Sequence, residues 1–336
     1  MKDFCVVGSG ISGCTIANLL SKKYSVEVFD KAKGLGGRAS NRRYKDKLSF
    51  DHGLQYFSPK SKKFKKFLFN LRKKNVVKLW PGQHLDFNFE KKESSIKYIG
   101  KKGNNDICRH LIKNIKVNYN SNVTDISFNS KYWTVTLNNK DHVFFKYLIL
   151  TCPYPQLKTL ASKYIKKETT NLKVNMIPNI TVMAVYKNYQ KLDVSSIKFT
   201  DEILAWAAHE NTKNRFKTNQ SLWTIQCTEV FSKKIINLFK KDKNKYQSII
   251  IKKFESLLGY QAKKIIFKNI HGWKYSYNIE KTPFESFWNN KDKLGICGDW
   301  LIGPKAENGW QSANNLFQKI KKSPVKLITG LLIFFN

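Results

Sequence analysis

Six of the chain's 17 glycines fall between Gly8 and Gly37, and that clustering limits what the first forty residues can become. "DFCVVG" is a short β-branched and apolar run stopped by glycine, the pattern of a buried strand. Gly8, Gly10 and Gly13 then read G-x-G-x-x-G, and Ile16, Ala17 and Leu20 recur at helical spacing. "YSVEVFD" alternates as a second strand ending in Asp30. The result is a complete strand–helix–strand unit in which each glycine has its own task. Gly8 makes the tight turn, Gly10 lets the backbone approach a pyrophosphate, and Gly13 lets helix and strand pack closely. The helix start offers unpaired N–H groups and a positive dipole end to the phosphates. Asp30, 17 residues beyond Gly13, is placed to accept hydrogen bonds from both ribose hydroxyls. Its charge disfavours a 2′-phosphate, so NADP is not expected in this site. The unit itself fits FAD and NAD equally.

Two strands cannot complete a dinucleotide domain, so later segments must supply the rest. "NNDICRHLIKNI" is a candidate helix, and residues 116–146 alternate like consecutive hairpin strands. "YLILTCP" is apolar throughout, as a parallel strand buried on both faces would be. Near the end, a short strand over 294–297 stops at Gly298 and Asp299, and a helix is expected from about Gly309. Phe64, Phe67, Leu68 and Leu71 form one helical stripe with a lysine face, as do Ile250, Ile251, Phe254, Leu257 and Leu258; both read as core. "ITVMAVYKN" and "SLWTIQCT" are alternating strands suited to a separate sheet.

The net charge of +37 invites a nucleic-acid or membrane reading. Only six of the 61 cations are arginines, however, and base recognition favours the bidentate arginine fork. The lysines are spread over the whole length, so no specific nucleic-acid partner is expected. The six cysteines contain no C-x-x-C pair and the six histidines no metal-ligand spacing, so neither a disulfide framework nor a metal site is expected. Without a signal-peptide pattern the expected location is cytoplasmic. The apolar tail over 325–336 is shorter than the roughly 20 residues that span a bilayer. Packing on the body is expected of it, with membrane contact through it and Lys321, Lys322 and Lys326 the alternative.

Gly36, Gly37 and Arg38 resemble the doublet that two-dinucleotide-binding flavoproteins carry after their second strand. The resemblance implies FAD, with the backbone passing under the pyrophosphate and the arginine meeting a phosphate oxygen. "GDWLIGPKAENGW" resembles the closing motif of the same proteins, in which Asp299 would hold the ribityl-phosphate region and the last helix would point its amino end at the flavin. With "FDHGLQYFS" (50–58), "YIGKKGNND" (98–106), "LAWAAHENTKNR" (204–215) and "HGWKYS" (271–276), the chain resembles the renalase-like branch of the FAD amine-oxidase superfamily over about residues 1–320.

That resemblance implies an α/β fold of p-hydroxybenzoate-hydroxylase-like type, with a Rossmann-type FAD-binding domain interleaved with an antiparallel-sheet (α+β) substrate domain. The FAD domain is expected over 1–59, 100–155 and 286–322, the substrate domain over 60–99 and 156–285, and the tail over 323–336. It also implies non-covalent FAD reduced by hydride from a small substrate and reoxidised by O2 with release of H2O2. The substrates would be 2- or 6-dihydro-NAD(P) isomers; an amine oxidase or desaturase of the same superfamily is the alternative. From another class, a basic protein binding nucleic acid or a membrane surface and carrying FAD only structurally remains. The expected cofactor-binding residues are Gly8, Gly10, Ile11, Ser12, Gly13, Asp30, Lys31, Gly36, Gly37, Arg38, Gln55, Tyr56, Val123, Gly298, Asp299, Trp310, Gln311 and Ser312. Tyr56, Trp273 and Tyr275 are the candidate catalytic wall around the substrate, with core packing as their other reading. Relatives carry glycines where Asn308 and Ala313 stand, and a P-G-M-N turn where Lys102, Gly103, Asn104 and Asn105 stand; these departures bear on the substrate more than on FAD.

Overall fold

The computed structural model describes residues 1–45, 48–86, 96–169, 172–188, 194–258 and 264–323. The apolar tail lies outside them from residue 324. Two large sheets organise the chain.

The first sheet has eight strands. Its central path runs Phe287–Asn289, Leu294–Ile296, Asp141–Leu150, Lys2–Val7, Val26–Phe29 and Lys116–Asn118. All neighbours on this path are parallel except the pair at the Phe287–Asn289 edge. Trp133–Leu137 and Val123–Phe128 extend it as an antiparallel meander from the outer half of Asp141–Leu150. The strand Lys2–Val7 shows why a parallel strand reads as unbroken apolar sequence. Phe4 and Val6 pack among Ile16, Ala17 and Leu20 of the helix Ile11–Leu20 and Ala313, Leu316 and Ile320 of the helix Ala306–Lys322. Cys5 points the other way, into a cluster holding Trp133, Leu148 and Trp300. The helix Tyr154–Thr169 buries Leu157, Ala161 and Ile165 in that same cluster.

The second sheet has six strands in the order Ile265–Tyr277, Ile177–Tyr186, Ser221–Cys227, Leu204–His209, Val194–Lys198 and Gln83–Leu85. It is antiparallel apart from its last pair. Strand alternation gives it two unlike faces. Ile180, Val182, Ala184, Trp223 and Ile225 point to one side, under Ile235 of the helix Glu229–Ile235 and Ile250, Ile251 and Phe254 of the helix Lys243–Leu258. That stripe is core, as its spacing predicts. Truncating a fully buried side chain such as Trp223 to alanine would cost about 3–5 kcal/mol. The opposite face carries Asn179, Thr181, Thr224 and Gln226, and it looks across a cleft at the glycine loops of the first sheet.

The helix Lys62–Lys73 also follows its pattern: Phe64, Leu68 and Leu71 are buried and the lysines face solvent. It packs beside the dinucleotide unit, against Cys14, Leu35 and Ile107.

Candidate active site

Each glycine of the first loop meets a different neighbour. Gly8 has φ +103°, a conformation glycine adopts freely. A Cβ on Gly13 would lie 1.9 Å from the Gly8 carbonyl oxygen, so the helix can approach the strand only with hydrogen there. A Cβ on Gly10 would meet nothing nearer than the Gly36 oxygen at 3.9 Å, because Gly10 borders open cavity. The second cluster is tied to the first by the Gly36 N–H donating to the Ser9 carbonyl at 3.1 Å. Gly36 and Gly37 both have positive φ, at +113° and +53°.

Asp30 sits at the end of the second strand and is already oriented. Its Oδ2 accepts from the Ser9 N–H at 2.7 Å and its Oδ1 from the Ala32 N–H at 2.8 Å. The Ser9 hydroxyl also donates to Oδ2 at 2.5 Å, and since a carboxylate accepts about four hydrogen bonds, one place remains for a ligand.

Arg38 and Asp299, 261 positions apart, meet directly. The guanidinium makes a two-pronged ion pair with the carboxylate, at 2.8 and 2.5 Å, and its Nη1 also donates to the Ser276 carbonyl at 2.6 Å. Three of the five N–H donors are thereby used and two are left for another partner. Ser276 belongs to the six-stranded sheet, so one side chain ties the glycine loop to both sheets.

These elements enclose a cavity of about 1380 Å³. Single small-ligand pockets run to roughly 1,000 Å³, so this one has room for a dinucleotide together with a substrate. Of the residues expected to bind the cofactor, Gly8, Gly10, Ile11, Ser12, Gly13, Asp30, Lys31, Gly36, Gly37, Arg38, Gln55, Tyr56, Val123 and Asp299 line it. Trp273 and Tyr275 line it as well. The Trp273 Nε1–H is committed to the His52 carbonyl at 2.9 Å, which leaves the ring to form wall. Burial raises the pKa of the Tyr56 phenol, keeping it protonated.

Four expected residues lie off the cavity. The last helix starts at Ala306, three residues before the expected Gly309, and this turns its faces. Glu307 and Gly309 reach the cavity in place of Trp310, Gln311 and Ser312. Trp310 stacks on Phe67 at 5.3 Å, Gln311 donates to Glu285, and the buried Ser312 hydroxyl accepts the Gly298 N–H at 2.9 Å. That last bond turns Gly298 inward.

Several lining residues stand outside the expected site residues: Asn179, Trp206, Gln226 and Tyr277 from the six-stranded sheet, and Phe64 and Glu307. The polar side of "SLWTIQC" was visible as Thr224 and Gln226 alternating with Trp223 and Ile225, but alternation does not say what a face looks at. Gln226 donates from Nε2 to the Gly53 carbonyl at 2.8 Å, bridging the cleft. Glu307 accepts the backbone N–H groups of Lys60 and Ser61 at 2.7 and 2.8 Å. Burial raises its pKa, and those N–H groups with the Ser61 side chain outweigh burial and hold it low. Among the described residues no group of His, Cys, Asp and Glu could hold a metal.

A strand–glycine loop–helix unit, an acid at the end of the second strand and a two-sheet cleft with space around Gly10 define a flavoprotein oxidoreductase whose glycine loops fit FAD. Residues 6–71 match the NAD(P)-binding Rossmann-like domain, and residues 82–196 match the flavin containing amine oxidoreductase family. These matches, each over part of the chain, support an FAD-dependent oxidoreductase similar to the flavin-containing amine oxidases. Solved structures share the fold over nearly the whole chain. A protein described as a protoporphyrinogen oxidase from Exiguobacterium sp. 255-15 has a TM-score of 0.73 at 10% identity, covering 95% of this chain and 98% of that one. A putrescine oxidase bound to putrescine has 0.68 at 12%, covering 96% and 99%. Cyclohexylamine oxidase from Brevibacterium oxydans IH-35A has 0.65 at 9%, covering 96% and 100%.

Proposed function

We propose that the cavity holds FAD non-covalently along its glycine loops and oxidises a small planar substrate of the dihydronicotinamide class, such as a 2- or 6-dihydro-NAD(P) isomer. When bound, FAD supplies a hydride acceptor that O2 can reoxidise with release of H2O2. The chain's own residues bind, orient and exclude water. Gly10 and Gly13 admit the pyrophosphate, Asp30 takes the ribose, and the Arg38–Asp299 pair fixes the join between the sheets. Tyr56, Trp206, Trp273, Tyr275 and Tyr277 form an aromatic wall, against which a flat ring can be held with its transferable hydrogen at one distance.

One observation carries the choice of substrate. Three carboxylates line the cavity, and each already has protein partners: Asp30 on Ser9 and Ala32, Asp299 on Arg38, and Glu307 on Lys60 and Ser61. The six-stranded sheet adds the neutral amides of Asn179 and Gln226, the Ser276 hydroxyl and the Tyr275 and Tyr277 phenols, and Lys31, Lys274 and Lys305 also line the space. This lining offers no uncommitted anion to an alkylammonium, and it suits a neutral ring bearing an anionic tail.

The amine oxidase or desaturase reading stands as the second, supported by the family match and the aromatic wall. Anaerobic mixing of the FAD-loaded protein with 6-dihydro-NAD(P) and, separately, with simple amines decides between them. Rapid bleaching of the flavin by the first alone is expected; bleaching by amines alone overturns the proposal.

A further inference from the structure

Behind Gln55 and Tyr56 lies a knot of ionised side chains that the proposed chemistry does not use. The Lys213 side chain is 0% exposed, as are those of Asp51 and Glu210, and Arg215 is 2% exposed. The Lys213 ammonium lies 2.8 Å from Asp51 Oδ2 and 2.9 Å from Glu210 Oε2. It also donates to Gln55 Oε1 at 3.3 Å and sits 5.1 Å above the centre of the Trp80 ring. Arg215 closes the other side, with Nη1 2.5 Å from Asp51 Oδ2 and Nη2 donating to Asn104 at 3.1 Å.

Two of these partners lead to the cavity. Gln55 lines it, and its amide is fixed at both ends: Oε1 accepts from Lys213, while Nε2 donates to the Asp51 and Gly53 carbonyls. Trp80 stands behind the cavity wall, with its ring centre 6.1 Å from Tyr56 and 6.2 Å from Trp206. We propose that Lys213 is a positioning residue: its buried ammonium holds Gln55 and the Tyr56–Trp206 wall in place and keeps a positive charge behind the bound flavin. This rests on the reading that the isoalloxazine lies at the Gln55–Tyr56 end of the cavity.

The charge count supports it. Burial alone raises the Asp51 carboxyl, but Arg215 and Lys213 outweigh burial and hold it ionised, well below the usual carboxylate range. Burial pushes the Glu210 carboxyl up despite the pull of Lys213. Lys213 and Arg215 set two cations against the Asp51 carboxylate in a buried site, where a charge's field is far stronger than at the surface. Such a charge favours the electron-rich reduced flavin. Stability alone does not call for the arrangement, since apolar residues often replace buried ion pairs without loss.

The test measures the two-electron midpoint potential of FAD-loaded protein by dithionite titration against a reference dye, in wild type and in Lys213→Met, Lys213→Arg and Glu210→Gln. No substrate is needed, so a failure of the dihydronicotinamide reading leaves this measurement standing. Lys213→Met should lower the reduced-to-oxidised ratio at fixed poise at least about tenfold, about 30 mV for a two-electron couple. Lys213→Arg should retain the wild-type potential within a few-fold in that ratio, and Glu210→Gln, which can only remove negative charge, should not lower it. A Lys213→Met holoprotein with unchanged potential and flavin spectrum, whatever its melting temperature, overturns the proposal. If that variant does not retain flavin, Lys213→Gln is read the same way. If neither does, Lys213→Arg decides: a retained potential supports the role of the charge, and a tenfold drop overturns it.

Discussion

Methyl groups added at Gly10 and at Gly13 probe opposite sides of the same turn. At Gly13 the new carbon would strike the Gly8 carbonyl, so Gly13→Ala should destabilise even the flavin-free protein by about 1–3 kcal/mol in urea unfolding. At Gly10 the backbone is extended, with φ −76°, and the carbon would enter the cavity. Gly10→Ala should therefore leave flavin-free stability within about 0.5 kcal/mol, while FAD affinity falls at least about tenfold, or about 1.4 kcal/mol. Equal losses of stability in the two variants would contradict this division. The histidines packed beside Trp273, His52 and His271, set a pH dependence. Burial, helped by His271 and Arg42, lowers the His52 pKa to about 3, from an ordinary value near 6.5. Between those values the unfolded chain binds a proton that the folded one refuses, so stability falls as pH drops below about 6.5. The slope is about 1.4 kcal/mol per pH unit for a fully excluded proton. Urea unfolding at pH 6.5 and 5 should show this loss, and His52→Leu should reduce it. The glycine tasks were legible because they follow from hard contacts inside one local unit. The burial of Lys213 was not: nothing in "ENTKNR" marks its lysine for the interior, and Asp51, 162 positions away, joins Glu210 to make an interior site for it.

At the scale of elements, local pattern located the strands and both apolar helix stripes but could not say what each stripe packs against. Leu157, Ala161 and Ile165 lie beyond the 155/156 boundary drawn from the sequence, yet they bury against Trp133 on the eight-stranded sheet. Nothing in their spacing distinguishes that sheet from the other. The start of the last helix shows a second limit. Glycine usually marks a turn, which placed the helix start at Gly309; in the structure Gly309 lies inside the first turns because a Cβ there would come within 2.8 Å of Ser12 Oγ. The earlier start brings Glu307 onto the amino end of the helix Lys62–Lys73, whose Ser61 cap accepts the Phe64 N–H at 3.2 Å. Glu307→Ala would leave two N–H groups without that acceptor, at a cost of about 1–3 kcal/mol. Hydrogen exchange should quicken in residues 60–66 of that variant more than in the six-stranded sheet. Uniform quickening would mean that Glu307 does not act as a clip on this helix.

For the molecule as a whole, the +37 charge asks whether the surface has a function of its own. Three of the six arginines are paired with carboxylates: Arg38 with Asp299, Arg109 with Asp106 and Arg215 with Asp51. That leaves few forks for reading base edges, whereas lysines attract phosphate without regard to sequence. No described helix is long and apolar enough to cross a membrane. The expected behaviour is a gel shift at 50 mM salt with any duplex of equal length. If about six or more phosphates are neutralised, affinity should fall about a thousandfold or more by 200 mM salt. Flavin reduction by its substrate should proceed at 200 mM salt, because Arg38, Asp299 and Glu307 at the cavity are paired and partly buried and are screened much less than surface lysines. A shift that survives 200 mM salt and prefers one sequence would show that the basic surface is a nucleic-acid site after all. Loss of flavin reduction over the same salt range would show instead that the surface charge steers an anionic substrate into the cavity.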